Sequence, residues 1–270
     1  MKRLILASTA LAMMSASAFA ADLPARTMAP APAPFVSAPM FTWTGFYAGV
    51  NAGWVRNETR VDNRGTAGFD AAFGAGTDAA LAGAFPARLG SSDRNGFIGG
   101  VQAGYNQQFG MFVAGIEADI NWLGNRSAST STTRTFGAPI FGDVNVATRS
   151  RTDWLGTARL RAGVAIDRVM IYGTGGLAFG APNHRLNVTT GGVLTHTGTN
   201  DDMKAGWTLG AGAEYAFTNN ITMKAEYLYY DLGRTSVTAT PTAAGAVGTS
   251  ASARFDNKGH IARVGLNYKF

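Results

Sequence analysis

The sequence predicts an all-β protein: an eight-stranded antiparallel transmembrane β-barrel with short periplasmic turns and four long external loops. Three observations predict this fold class. Apolar and polar residues alternate with a period of two in eight segments, as they do in β-strands. The connections between these segments are alternately short and long. The charged residues inside the segments share one face, with a single exception, and the opposite face is apolar.

The first twenty residues have the pattern of a secretory signal peptide. Lys2 and Arg3 are followed by an apolar stretch at 4–16, and cleavage is expected between Ala20 and Ala21. A short N-terminal membrane anchor fits less well, because the apolar stretch ends at this site. The prolines that follow predict an extended periplasmic arm. The expected organisation is a signal peptide at 1–20, an arm at 21–42 and a barrel domain at 43–270.

Eight strands are expected in the barrel domain. They cover residues 45–55, 96–108, 112–122, 153–167, 169–179, 206–217, 221–232 and 258–270. Tight turns are expected at 110, 167–168 and 218–220, and long external loops at 56–95, 123–152, 180–205 and 233–257. The fifth strand is ambiguous in phase, and its outward residues are predicted to be Val169, Ile171, Leu177 and Phe179.

The last strand shows the alternation most clearly. One face is apolar and aromatic: Ala262, Val264, Leu266, Tyr268 and Phe270. The other face carries Ile261, Arg263, Gly265, Asn267 and Lys269. A strand that closes a barrel in a bilayer has no free edge, and its apolar face is covered by lipid.

The charged residues within the strands predict a polar interior. The inward set is Glu117, Asp119, Arg159, Arg161, Glu214, Lys224, Glu226, Arg263 and Lys269. Asp231 has the opposite phase and is the exception. A lipid-facing Arg or Lys at mid-bilayer costs about 2–4 kcal/mol, whereas a soluble barrel would place charge outside. Five bases and four acids can pair, so we expect a plug in a barrel of this size, with a thin water-filled leak as the alternative.

Aromatic residues mark two expected membrane interfaces. Trp54, Trp122, Trp154 and Trp207 occur where the predicted strands meet the long loops, which is typical of an outer aromatic girdle. Phe109, Phe112, Phe217, Tyr268 and Phe270 occur near the tight turns. The alternative is that these residues form the core of a β-sandwich.

Several motifs together carry a family resemblance. They are WTGFYAGVNAGW at 43–54, YGTGGLAFG at 172–180, GWTLGAGAEYAF at 206–217, MKAEYLYYDLG at 223–233 and VGLNYKF at 264–270. With the signal peptide and the proline-rich arm, they resemble the small outer-membrane β-barrel proteins of alphaproteobacteria, which are called porin-family proteins or outer-membrane antigens. The resemblance implies that the barrel-assembly machinery recognises Leu266, Tyr268 and Phe270 as an assembly signal.

No catalytic, metal or cofactor site is expected. His184 and His196 lie in the third predicted loop without a nucleophile motif or a third ligand, and loop histidines are usually solvated. The basic residues form no run of the kind that binds nucleic acid. The arginines of the predicted loops could contact the phosphates of lipopolysaccharide. They are Arg56, Arg60, Arg126, Arg134 and Arg185.

The sequence thus predicts a non-enzymatic integral protein of the outer membrane with a structural, envelope-integrity and surface-display role. Its expected partners are outer-membrane lipid, lipopolysaccharide and the barrel-assembly machinery. Two alternatives stay open. One is a porin-like diffusion channel for small solutes. The other is a surface receptor or adhesin that acts through the long loops and binds haem.

Overall fold

The structure is a computed structural model that describes residues 41–73, 75–124, 128–136, 142–191, 193–242 and 248–270. The predicted signal peptide, its cleavage site between Ala20 and Ala21, and nearly all of the predicted arm lie outside the described residues, as does Arg126. The three-part division of the chain therefore stays a prediction.

The described residues form ten strands and two short helices. The strands are β1 (Gly45–Ala67), β2 (Arg88–Phe109), β3 (Phe112–Gly124), β4 (Ala128–Phe136), β5 (Gly142–Ile166), β6 (Val169–Thr190), β7 (Val193–Asn200), β8 (Lys204–Ala216), β9 (Ile221–Pro241) and β10 (Ser250–Lys269). The helices are α1 (Phe69–Phe73) and α2 (Thr77–Ala84). No described helix has the length and apolar character that a membrane crossing requires.

Eight of the strands pair in a closed circuit. The antiparallel neighbours run β1–β2–β3–β5–β6–β8–β9–β10, and β10 pairs back onto β1 from Tyr47↔Lys269 to Ala67↔Ser250. Two further strands, β4 and β7, pair outside this circuit, mainly with β5 and β6. The chain is therefore all-β and antiparallel, as predicted, but its described residues form two more strands than expected.

Tight connections lie at one end of the circuit, which we name the turn end; the opposite end is the loop end. Gly110 and Asp167 have positive φ values of 61° and 51° in the turns between β2 and β3 and between β5 and β6. Two-residue hairpins need such φ values, because their twist must match that of the strands. Glycine and aspartate reach this conformation more easily than most residues.

The predicted bounds of the four long loops are wrong, because the strands continue far into them. β1 extends to Ala67 instead of ending at residue 55, and β2 begins at Arg88. β5 begins at Gly142, β6 extends to Thr190 and β9 extends to Pro241. Trp54 and Trp154 consequently lie well within paired strands, whereas Trp122 and Trp207 lie near the end of β3 and the start of β8, as predicted.

The outer face changes from apolar to charged partway along the strands, and this change explains the error. On β10, Val264 and Leu266 are exposed near the turn end, whereas Arg254 and Lys258 occupy outward positions near the loop end. The inward positions change in the opposite sense, from Arg263 to Phe255. Near the loop end the strands thus have the pattern of a barrel in water, charged outside and apolar inside. Asp231 belongs to this part, where its carboxylate lies 3.4 Å from Lys258 Nζ.

The interior is filled in layers. An apolar cluster at the turn end consists of Trp43, Val113, Ala165, Met170, Tyr172 and Ala216. Charged residues form the next layer. A second apolar cluster follows, composed of Val55, Ile98, Leu123, Leu155, Ala178, Leu228, Tyr230, Leu232 and Ile261. A third apolar cluster, near the loop end, includes Phe69, Leu81 and Phe85 from the helical connection between β1 and β2.

Candidate functional site

The charged layer brings together four bases and four acids that are excluded from solvent. Their side chains are at most 3% exposed. They are Arg159, Arg161, Lys224, Arg263, Glu117, Asp119, Glu214 and Glu226. Each lies at an inward position of β3, β5, β8, β9 or β10. We name this set the ion network. Its equal numbers of bases and acids leave no net charge, and buried charge is tolerated only when it is paired in this way.

Glu117 is the centre of the ion network. Its two carboxylate oxygens each accept a hydrogen bond of 2.7 Å from Lys224 Nζ, and a further one of 2.7 Å comes from the Tyr47 hydroxyl. The Arg159 guanidinium also contacts this carboxylate, and Arg161 Nη1 lies 3.6 Å from it. Arg263 Nη2 lies 3.8 Å from it, so this one carboxylate joins four cations and a phenol from four strands.

A second group of contacts is built around Arg263. Its Nη2 lies 2.7 Å from the carboxylate of Glu226 and 3.1 Å from that of Asp119. Arg159 contacts the same two acids, each at 2.9 Å. Two arginines and two carboxylates thus alternate, and each carboxylate accepts hydrogen bonds from both arginines.

Arg161 extends the network toward the turn end. Its Nη2 is 2.6 Å from Glu214, and its guanidinium lies 4.0 Å from the centre of the Tyr172 ring, a cation–π geometry. Glu214 also accepts hydrogen bonds from the Thr222 hydroxyl at 2.5 Å and the Asn267 amide at 3.0 Å. Both oxygens of this buried carboxylate therefore accept hydrogen bonds.

Inward glycines supply the space for these long side chains. A Cβ at Gly104 would overlap the Tyr47 hydroxyl, and a Cβ at Gly265 would lie 3.1 Å from Lys224 Cε. The space that small residues leave is therefore occupied by the network itself.

Lys269, the ninth predicted interior charge, is not part of the ion network. Its ammonium contacts the carbonyl oxygen of Thr42 and lies 4.7 Å from the centre of the Phe41 ring at the turn end. Beside it, Trp43 is 1% exposed and its indole N–H donates to the carbonyl oxygen of Asp167 at 3.2 Å. These two aromatic residues precede β1 and fill the turn end of the interior.

Sequence reasoning missed the interior roles of Trp43, Tyr47 and Tyr172. A signal for the tyrosines was present, since both occupy inward positions by period-two parity. Period-two parity assigns a residue to the inner or outer face, but it does not show which charged residue it contacts across the interior.

The predicted assembly residues lie on the outer face of β10 and just after it. Leu266, Tyr268 and Phe270 are 51%, 52% and 73% exposed, and the last two rings make an edge-to-face contact with centres 5.2 Å apart. The backbone N–H of Phe270 donates to the carbonyl oxygen of Phe46 at 2.9 Å, so the terminus is held against β1. Their recognition by an assembly machinery stays a prediction.

The expectation that the two loop histidines are solvated is wrong. His184 and His196 are each 2% exposed, because the segment expected to be a loop is paired strand whose inward positions they occupy. The ring of His184 stacks on Phe255 at 4.3 Å, and burial lowers its pKa from 6.5 to about 4. Among the described residues, no three His, Cys, Asp or Glu side chains are grouped as metal ligands.

The arginines expected to contact lipopolysaccharide have different surroundings. Arg56 forms a 2.8 Å ion pair with Asp93, which helps to raise its pKa, and Arg134 Nε donates to the carbonyl oxygen of Ala84 at 3.0 Å. Arg60 lies opposite Asp256. Arg185 lies directly opposite Arg149 in the β5–β6 ladder, where two like charges adjoin.

Comparison with known proteins identifies the family of this chain. Residues 6–270 match the outer membrane protein beta-barrel domain. The chain belongs to this outer-membrane β-barrel family. The 31 kDa outer-membrane immunogenic protein of Brucella melitensis is 38% identical over 273 residues, which cover 100% of both chains. The 22 kDa outer membrane protein of Rhizobium leguminosarum bv. viciae is 35% identical over 144 residues, which cover 52% of this chain and 56% of that protein.

Among solved structures, the outer membrane protease OmpT from Escherichia coli is similar at 11% sequence identity with a TM-score of 0.44, covering 86% of this chain and 99% of that chain. The predicted family resemblance is confirmed by the family match and by the full-length relatives. The protein is an outer-membrane β-barrel protein, and its predicted location in the outer membrane is likewise confirmed.

Proposed function

We propose that this protein is a non-conducting, non-enzymatic barrel that spans the outer membrane through its circuit of eight strands, strengthens the envelope and displays its loop end outside the cell. The turn end faces the periplasm in this arrangement. The apolar outer face near the turn end would contact lipid, and the charged outer face near the loop end would project into water.

The filled interior is the observation that carries the proposal. Any continuous aqueous path would have to cross the Trp43 layer, the ion network and the second apolar cluster in turn. Side chains excluded from solvent occupy each of these layers. This arrangement favours a structural barrel over the porin-like diffusion channel.

Planar-bilayer recording tests the proposal. The refolded mature chain should show no steady conductance, and Trp43→Ala should not either, because two filled layers remain. Heat-shifted gel mobility of protein recovered from the bilayer-forming vesicles provides the control for folding. A steady, reproducible conductance of the folded wild-type chain would contradict the proposal and favour the channel.

The display role rests on the loop end. Its outer face carries exposed ion pairs such as Arg56 with Asp93 and Arg234 with Asp256, which are typical of a water-facing surface. The Brucella relatives are named as outer-membrane immunogenic proteins. Antibodies raised against the β4–β5 and β6–β7 hairpins should bind intact cells. Binding that appears only after the cells are permeabilised would place the loop end on the periplasmic side and refute this orientation.

Contact with lipopolysaccharide is supported by one cluster of side chains. Arg149 and Arg185 face each other on the outer side of β5 and β6, closer to the loop end than Trp154. Phosphate binds arginine strongly, and these two exposed arginines present two guanidinium groups side by side. Arg185→Gln should reduce salt-sensitive association with purified lipopolysaccharide, whereas Arg134→Gln should leave it unchanged. Equal association of both variants with lipopolysaccharide would count against the contact.

The terminal residues support a role in assembly. Leu266 and Phe270 are exposed at the end of the strand that closes the circuit. Removal of the Phe270 side chain by Phe270→Ala should slow insertion into membranes that contain the purified assembly machinery. Insertion into detergent micelles should be unaffected. Loss of folding in both settings would instead indicate that Phe270 acts by packing.

A further inference from the structure

An apolar cavity of about 410 Å³, partly open to solvent, lies at the loop end, above the filled layers. Its walls come from β1, β2, β5, β6, β7 and β10, and residues of the helical connection between β1 and β2 line one side. The apolar residues that form most of its surface include Phe69, Leu81, Phe85, Val144, Val188 and Ala253. Binding pockets for small molecules usually measure about 300–1,000 Å³, so this cavity has the size of a ligand site.

The cavity has one buried hydroxyl that lacks a partner. Thr66 lines the cavity, and its Oγ1 atom is shielded from solvent without a hydrogen-bond partner among the described residues. A buried polar atom in this state is unfavourable unless another molecule supplies the hydrogen bond. The hydroxyl therefore provides a point at which a guest could be oriented.

The other polar groups around the cavity carry no charge that could bind an ion. Among the residues that the structure describes, no Lys, Arg, Asp or Glu lines the cavity. Both nitrogens of the His196 ring are occupied, since Nε2 lies 2.7 Å from Thr249 Oγ1 and Nδ1 lies 3.1 Å from Thr195 Oγ1. Burial lowers the pKa of this imidazole, which favours its neutral form. An anionic or cationic guest would thus lose its hydration without gaining an ion pair.

The cavity is closed toward the barrel interior. The buried pair His184 and Phe255 and then the second apolar cluster lie between it and the ion network. A guest could therefore be held at the loop end, but it could not pass down the barrel axis. An apolar molecule that matches the cavity gains dispersion contacts with its walls when it enters.

We propose that this cavity binds one uncharged, mainly apolar small molecule, and that a hydrogen-bonding group of the molecule pairs with the Thr66 hydroxyl. The site would make the protein a surface binder of small hydrophobic compounds. This property is independent of the proposed structural role, because a non-conducting barrel needs no ligand.

Fluorescence titration of the refolded protein in lipid nanodiscs tests the site. The first probe is N-phenyl-1-naphthylamine, which is uncharged and carries one N–H group. The second is 1-benzylnaphthalene, a hydrocarbon of similar size without a polar group. Empty nanodiscs measure partition of each probe into lipid. The wild-type chain should add a saturable component with a stoichiometry of about one probe per chain.

Two variants locate this component. Val146→Phe adds a ring at a position that lines the cavity, and Ala147→Phe adds the same ring at the next residue, on the opposite face of β5. We expect Val146→Phe to weaken the saturable component at least tenfold and Ala147→Phe to leave it unchanged. Heat-shifted gel mobility shows whether each variant is folded.

A third variant tests the hydrogen bond with little change in shape. Thr66→Val should weaken N-phenyl-1-naphthylamine binding severalfold without weakening 1-benzylnaphthalene binding. The proposal is overturned if neither probe shows a saturable component above empty nanodiscs, or if folded Val146→Phe binds as wild type does. Should Val146→Phe not fold, equal effects of Thr66→Val on the two probes would overturn the proposed pairing. Planar-bilayer recordings report separately on the non-conducting function.

Discussion

Removal of Arg263 from the ion network should destabilise the protein strongly. Arg263→Met keeps most of the side-chain volume but removes a guanidinium whose side chain is 0% exposed. Asp119 and Glu226 would each lose one of their two shared arginines, and the network would carry one uncompensated negative charge. Breaking a buried ion pair by removal of one partner costs about 3–5 kcal/mol, because the remaining charge stays desolvated.

Lys258→Met on the same strand is the matched control. Its ammonium pairs with Asp231 at 3.4 Å, but the lysine side chain is 46% exposed and faces water. Exposed pairs of this kind contribute about 0–1 kcal/mol. Two changes five positions apart on β10, each removing one cation, should therefore differ in effect by about 2–5 kcal/mol.

Urea unfolding of the refolded chain in lipid vesicles, followed by tryptophan fluorescence, measures this difference. The double variant Arg263→Met with Glu226→Gln should recover part of the lost stability, since it restores an equal number of bases and acids. Equal free energies of unfolding for Arg263→Met and Lys258→Met would refute the account of a closed, desolvated network.

Three further predictions follow from buried positions. Trp43→Ala should lower the free energy of unfolding by about 3–5 kcal/mol, because it empties the turn-end layer; an unchanged urea midpoint would contradict the role of this layer. His184 is buried in its neutral form, with a pKa of about 4 in the folded chain against 6.5 in the unfolded chain. Below pH 6.5 the unfolded chain therefore binds a proton that the folded chain does not, and the free energy of unfolding falls. Stability should fall by up to about 3 kcal/mol between pH 6.5 and 4, and His184→Gln should abolish this component of the pH profile, measured by urea midpoints. Gly206→Ala should impair folding, judged by heat-shifted gel mobility, because its Cβ would overlap the Asp231 carbonyl oxygen on β9; Gly156→Ala, whose Cβ has 3.5 Å of space, should fold normally.

Period-two parity was the strongest guide to the fold. It assigned the eight segments of the paired circuit and the outward phase of Val169, Ile171, Leu177 and Phe179, because a side chain can point to only one of two faces in a strand. The exposed positions of Ile171 and Leu177 agree with that phase. Pairing within the ion network was not predictable in this way, since it depends on strand register around the whole circuit.

The strand extensions were missed because outward residues are apolar near the turn end but charged near the loop end of the same strands. Residues such as Arg56, Glu58 and Arg60 are charged outward residues of β1, but a search for lipid-facing apolar residues treats them as loop. For the same reason, the segments that contain His184 and His196 were expected to be loops, and the burial of these two side chains was not predicted. The cavity was not predictable either, because it depends on how two short helices are placed over the strands.

Lipid and water accessibility along β10 tests the central claim most directly. The chain contains no cysteine, so each introduced cysteine is unique. Single variants Arg254→Cys, Lys258→Cys, Val264→Cys and Leu266→Cys would be exposed in intact cells to a membrane-impermeant maleimide and to a lipid-soluble maleimide. The impermeant reagent is expected to label positions 254 and 258, and the lipid-soluble reagent is expected to label positions 264 and 266. Labelling of 264 and 266 by the impermeant reagent, with 254 and 258 reached only from lipid, would contradict it.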